Sequence, residues 1–113
     1  MTVEVRSRDH GGVTVVELEG EITSVSSAEL QQRILPLIGG TGTTVIDLAK
    51  VPYISSAGLR TLLLVHRQAL RRQTETVLVG LCDEVRFVMS ATGFLEFFDV
   101  RESAASVLGS AGG

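Results

Sequence analysis

A chain of 113 residues, 44% apolar and 20% charged, suits one compact domain built around one apolar core. Its formal net charge of −3 offers no basic footprint for direct contact with nucleic acid or an anionic membrane, and no apolar run nears the roughly 20 residues that span a bilayer. The N-terminus shows no secretory signal, and the lone Cys82 rules out an internal disulfide and any multi-cysteine metal site, so the expectation is a cytoplasmic protein with no metal and no cofactor.

In chain order, residues 3–6 read as a short strand. A turn follows at Asp9-His10-Gly11-Gly12, then a stronger, β-branched strand over 13–19. The two-glycine turn predicts that these strands pair antiparallel. A helix starts at Ser26, with Ser26 and Glu29 as a capping box and Leu30, Ile34, Leu37 and Ile38 as its apolar stripe. Pro36 removes a helical hydrogen bond and crowds the preceding turn, so the helix should kink or end near it, before Gly39-Gly40. Residues 43–48 read as a buried strand.

Val51-Pro52-Tyr53 connects to a second helix over about 56–72. Helical spacing places Leu59, Leu62, Leu63, His66, Ala69 and Leu70 on its inner face, with Arg60, Arg67 and Arg71 on the other side. A strand over 76–81 leads to a helix from Asp83 to about Ala91, stopped by Gly93. Phe97–Val100 reads as a last short strand and Ser103–Leu108 as a terminal helix. Residues 1–108 form the domain, and 109–113 read as a flexible C-terminal tail. Two strands followed by alternating helix and strand predict an α/β fold: a mixed, mostly parallel sheet with helices packed against it.

Chemistry-bearing residues are few. Ser55-Ser56-Ala57-Gly58 sits at a helix start, where Ser55 can satisfy a free amide and Gly58 allows close approach. The same helix end, with its unsatisfied N–H groups and positive dipole, also favours an added phosphate. Asp47 at a strand end brings an aspartate-phosphorylated receiver to mind, but an acidic pair near the first strand is wanting and Lys50 is the sole lysine; anchoring the following loop suits Asp47 better. His66 reads as a packed, hydrogen-bonded histidine, and His10 as solvated in its turn. Cys82 has no nearby histidine in sequence to form a dyad and behaves as a small hydrophobe. The glycines form neither a dinucleotide fingerprint nor a phosphate loop.

Taken together, Asp47-Leu48, Val51, Tyr53-Ile54 and Ser55-Ser56-Ala57-Gly58-Leu59-Arg60 resemble the phosphorylation motif of bacterial anti-sigma factor antagonists, small proteins of the STAS (sulfate transporter and anti-sigma antagonist) family. Gly20-Glu21-Ile22 and the later Asp83-Glu84-Val85-Arg86 leading to Thr92-Gly93-Phe94 fit the same family, and the resemblance spans nearly the whole chain. Many members carry Asp-Ser-Ser-Gly or Asp-Ser-Thr-Gly, phosphorylated on the first hydroxyl after the Asp. That hydroxyl corresponds to Ser56, with Ser55 at the Asp position and Ala57 at the second hydroxyl. Thr23 stands where many members have an Asp. Both departures remove a carboxylate near the phosphoacceptor and bear on kinase preference rather than on the fold.

The resemblance implies a STAS-like domain that acts by partner switching. The unphosphorylated protein binds an anti-sigma factor, usually a serine kinase of the ATP-binding GHKL type, and so frees a sigma factor for transcription. Phosphorylation of Ser56 releases it and a serine phosphatase resets it. Ser55, Ser56, Arg60, Thr23 and Arg67 are the expected partner contacts, the arginines facing an acidic surface. ATP belongs to the partner, and the chain itself is not expected to be an enzyme. The alternative within the fold is a STAS subunit of another assembly, a lipid-transport complex or a stress-signalling scaffold, where Ser56 is a structural helix cap.

Overall fold

The computed structural model describes residues 3–38, 42–105 and 107. Five strands form one sheet in sequence order: β1 (Glu4–His10), β2 (Val13–Glu19), β3 (Thr43–Lys50), β4 (Glu75–Val79) and β5 (Asp99–Arg101). β1 runs antiparallel to β2, and every later neighbour is parallel. The helices are α1 (Ser27–Ile34), α2 (Ser56–Arg71) and α3 (Asp83–Ala91). This is the predicted mixed, mostly parallel architecture.

β1 runs on to His10, past its predicted end, because the turn uses only two residues. Gly11 and Gly12 both take positive φ, 48° and 90°, the geometry of a tight hairpin turn, so His10 pairs directly with Val13. α1 ends at Ile34, and the chain continues as a 3-10 turn, Leu35–Leu37, around Pro36, as the missing N–H requires.

The predicted capping box does not form. Ser26 is itself near-helical (φ −95°, ψ −13°) and makes no side-chain cap bond. Its hydroxyl is spent on the turn before the helix: it accepts from Thr23 N at 3.0 Å and donates to the Glu21 carbonyl at 2.9 Å. Glu29 Oε1 is buried without a partner.

β4 stops at Val79 because Gly80 turns the chain at φ 72°, against Asp47 Oδ1 and Ala49. The last strand starts at Asp99 rather than 97. Phe94–Phe97 is wound into a 3-10 turn, with the Phe94 and Phe97 rings edge-on at 6.3 Å. Ala104, Ala105 and Val107 are helical, in line with the terminal helix; Leu108 and the 109–113 tail lie outside the described residues.

Alternation along the strands divides the core between two faces. Val16 and Leu18 of β2, Ile46 and Leu48 of β3 and Leu78 of β4 pack under the three helices with Leu30, Ile34, Leu59, Leu62, Val65, Val85 and Met89. On the reverse face Val13, Val15, Val45, Val77 and Val79 are covered by Ala104 and Val107. The buried stripe of α2 is Leu59, Leu62, Val65 and Ala69, rotated from the expected one. Val65 is buried, Leu63 and His66 are half-buried, and Leu70 stands 59% exposed, since one residue beyond Ala69 turns the side chain about 100° away.

Candidate functional site

The loop between β3 and α2 is held from both sides. Val51 is buried and its amide donates to the Leu48 carbonyl. Ile54 then forms an isolated parallel bridge with Ile22, in the segment after β2. Ile22 N donates to the Tyr53 carbonyl at 3.1 Å, and Ser55 N donates to the Ile22 carbonyl at 2.8 Å. Two loops far apart in sequence thereby meet at the start of α2.

Ser55 is the helix cap. Its backbone is extended (φ −90°, ψ 174°), its Oγ accepts from Gly58 N at 3.3 Å, and its carbonyl accepts from Leu59 N at 2.9 Å. Gly58 is required there: a Cβ would come within 2.6 Å of Ile22 Cγ2, 2.7 Å of Ile54 Cγ1 and 2.9 Å of the Ile22 carbonyl oxygen. The cap and the close approach are those read from the sequence.

Ser56 is the first residue of α2 and is exposed. With the cap supplied by Ser55, its hydroxyl makes no hydrogen bond among the described residues. Thr23 lies on the adjoining loop, directly after Ile22; its Oγ1 accepts from Val25 N at 3.2 Å. Thr23, Ser55 and Ser56 therefore share one end of the sheet.

Arg60, Arg67 and Arg71 are exposed along α2. At about 100° per residue they fall within about 20° of a common line. Among the described residues none of the three is in a salt bridge. Arg60 is one turn from Ser56. Arg67 lies about 16 Å farther along the axis than Ser56, on the same face but away from the serines.

A family model, the STAS domain, matches residues 4–107. The chain belongs to the STAS domain family. A Bordetella bronchiseptica protein named as a putative anti-sigma factor antagonist, BtrV, is 38% identical over 99 residues, covering 84% of this chain and 85% of that protein. The crystal structure of an anti-sigma factor antagonist from Mycobacterium paratuberculosis matches with a TM-score of 0.84 at 26% identity, over 96% of this chain and 92% of that one. An anti-sigma-factor antagonist (STAS) domain protein from Planctomyces limnophilus reaches 0.87 at 16% identity, over 96% and 98%; at that identity the likeness shows the fold alone.

Asp47, Cys82, His66 and His10 of this STAS domain each make local contacts. Asp47 Oδ1 accepts from Ala49 N at 2.9 Å, the loop-anchoring role expected of it. Cys82 caps α3 by position, and its half-buried Sγ faces the Val51 and Pro52 carbonyls at 3.5 and 3.8 Å. His66 packs against Phe98 with ring centroids 5.3 Å apart. The hydrogen bond expected of His66 is not made at Nδ1, which is buried without a partner. His10 is exposed, as expected, and accepts from Arg8 Nε at 3.3 Å. Among the described residues no group of three His, Cys, Asp or Glu side chains could hold a metal ion, and no helix is long and apolar enough to cross a membrane.

Sequence reasoning missed three exposed apolar side chains around the site: Val25 at 77%, Tyr53 at 41% and Leu64 at 41%. Leu64 carried a usable signal, since four residues after Arg60 it falls on the arginine side of α2. Val25 carried none, because the serine-rich turn that displays it has no period.

Proposed function

We propose that this STAS domain is an anti-sigma factor antagonist that works in the cytoplasm by partner switching, with Ser56 as the switch. The unmodified chain binds an anti-sigma factor that is also a GHKL-type serine kinase, and so frees a sigma factor for transcription. In the complex the Ser56 hydroxyl attacks the γ-phosphorus of ATP, ADP leaves, and the hydroxyl proton passes to a base on the kinase. A serine phosphatase hydrolyses the phosphoserine and restores binding. The chain supplies the acceptor and the docking surface, and the partner supplies the chemistry.

The observation that carries this reading is the division of labour between the two serines. Ser55 is engaged as the cap, whereas Ser56 presents an exposed hydroxyl with no hydrogen bond of its own among the described residues. The structural role open to Ser56 in another assembly, capping α2, is thus already filled. Around it, Thr23, Ser55, Arg60 and Arg67 form the polar part of the docking surface, and Val25, Tyr53 and Leu64 supply exposed apolar area. Interfaces of this kind use a few apolar anchors within a polar rim.

A phosphate adds a charge of about −2 and strongly hydrated oxygens. At the start of α2 it is tolerated, because that helix end favours anions by about 0.3–1 kcal/mol. In the complex, the partner must close over a dianion and strip its water, so the penalty falls on binding. Incubation with the cognate kinase and ATP, followed by phosphopeptide mapping, tests the site: one phosphate on Ser56 is expected, and none on Ser56→Ala. Modification confined to Ser55 would move the acceptor by one residue, and an acid-labile, hydroxylamine-sensitive phosphate would point to Asp47 instead.

A further inference from the structure

Ser56 and Arg60 stand four residues apart on the exposed side of α2. That spacing separates them by about 40° around the axis and about 6 Å along it, so their side chains are neighbours. Arg60 has no carboxylate partner among the described residues. The first turn of α2 carries no acidic residue to compete for it. An uncommitted guanidinium therefore lies one turn from an uncommitted hydroxyl, at the head of a row that continues through Arg67 and Arg71.

We propose that Arg60 reads the phosphate. Once Ser56 is phosphorylated, the Arg60 guanidinium turns onto the phosphate oxygens and is withdrawn from the arginine row offered to an acidic partner. This rests on the phosphorylation of Ser56 proposed above and adds the means by which the chain registers it. A guanidinium presents a planar fork of donors that matches two phosphate oxygens, so the pair is stronger and more directional than a point charge would make it. An anion four residues N-terminal to a cation is also the order that a helix favours.

The pairing happens within one helix and needs no loop movement. A partner then meets two changes together: a dianion in place of a hydroxyl, and an arginine already engaged. The phosphate's charge of about −2 outweighs the single positive charge of the neighbouring Arg60, so an acidic partner surface meets net negative charge at that end of the row. A single modification thereby weakens the attraction at the Arg60 end of the row, while the exposed Arg67 and Arg71 lie beyond a screening length of about 8 Å from the phosphate.

The test needs no kinase. Phosphoserine installed at position 56 during translation gives the modified chain directly, so its outcome is independent of whether a kinase acts there. Phosphorus NMR titration then reads the second ionisation of the phosphate. That pKa is expected to be lower in the chain carrying Arg60 than in Arg60→Gln by at least about 0.3 unit, since the guanidinium favours the dianion. Arg72→Gln, at the far end of α2, should leave it unchanged. The Arg60 Nε–Hε resonance should shift with the same midpoint. Equal phosphate pKa values in the phosphorylated parent and Arg60→Gln, with both folded by their backbone spectra, would overturn the proposal, as would an Arg72→Gln effect as large as that of Arg60→Gln.

Discussion

Replacing Gly58 with alanine tests how tightly the start of α2 is fastened. The added methyl would meet Ile22 Cγ2 at 2.6 Å, Ile54 Cγ1 at 2.7 Å and the Ile22 carbonyl oxygen at 2.9 Å. Neither isoleucine can yield into solvent, being 0% and 1% exposed, and the third contact is backbone. Reaching ordinary contact distance means moving α2 away from the Ile22–Ile54 bridge, which also stretches the Ser55 N to Ile22 carbonyl bond. Overpacking of this kind costs about 1–3 kcal/mol. A loosened backbone hydrogen bond adds about 0.5–1.5 kcal/mol, while alanine returns up to about 1 kcal/mol of helix propensity. The net expectation is a loss of about 2 kcal/mol, seen as a fall in Tm of roughly 8–10 °C for a domain of this size. Thermal and urea melts of the two proteins measure it. A Gly58→Ala protein that melts at or above the parent would refute the close approach and the geometry built on it.

The two serines should separate in the same melts. Ser55→Ala loses the cap and about 1 kcal/mol, whereas Ser56→Ala stays within about 0.5 kcal/mol of the parent; equal losses would show that both hydroxyls are structural. Reversing charge with Arg60→Glu and Arg67→Glu should weaken anti-sigma factor binding and flatten its salt dependence, measured by titration at two ionic strengths; an unchanged affinity would remove the arginine row from the interface. Val25→Glu and Leu64→Glu, at 77% and 41% exposure, should leave the melt nearly unchanged yet weaken binding by about tenfold or more, the scale of an interface residue that matters. Full binding by both would exclude them from the docking surface.

Much of this fold was legible because its elements carry regular periods. The two-glycine turn set the β1–β2 hairpin, Pro36 ended α1, and alternation marked β2 and β3. What escaped was decided by contacts between elements. Whether Ser26 caps α1 depends on where Thr23 N and the Glu21 carbonyl fall, and no local pattern encodes that. The α2 stripe was misplaced because Leu63, Val65 and Leu70 are all apolar, and only the packing of the helix on the sheet selects among them. At the site, the motif located both serines at a helix start. The Ser55 cap was legible too, but that Ser56 keeps a hydroxyl with no hydrogen bond among the described residues was not. Arg60 and Arg67 were legible as an exposed face by spacing alone, but their lack of ion-pair partners among the described residues was not.

Charge at Ser56 is expected to control partner binding without disturbing the fold. Calorimetric titration of the cognate anti-sigma factor into the parent, Ser56→Ala and Ser56→Asp, with melts alongside, measures this most directly. The three melts should be similar, and the parent and Ser56→Ala should both bind tightly. Added ATP should release the parent but not Ser56→Ala. Binding by Ser56→Asp should be weakened roughly a hundredfold, equivalent to about 2.7 kcal/mol. Equal, tight and ATP-insensitive binding by all three would contradict a switch at Ser56.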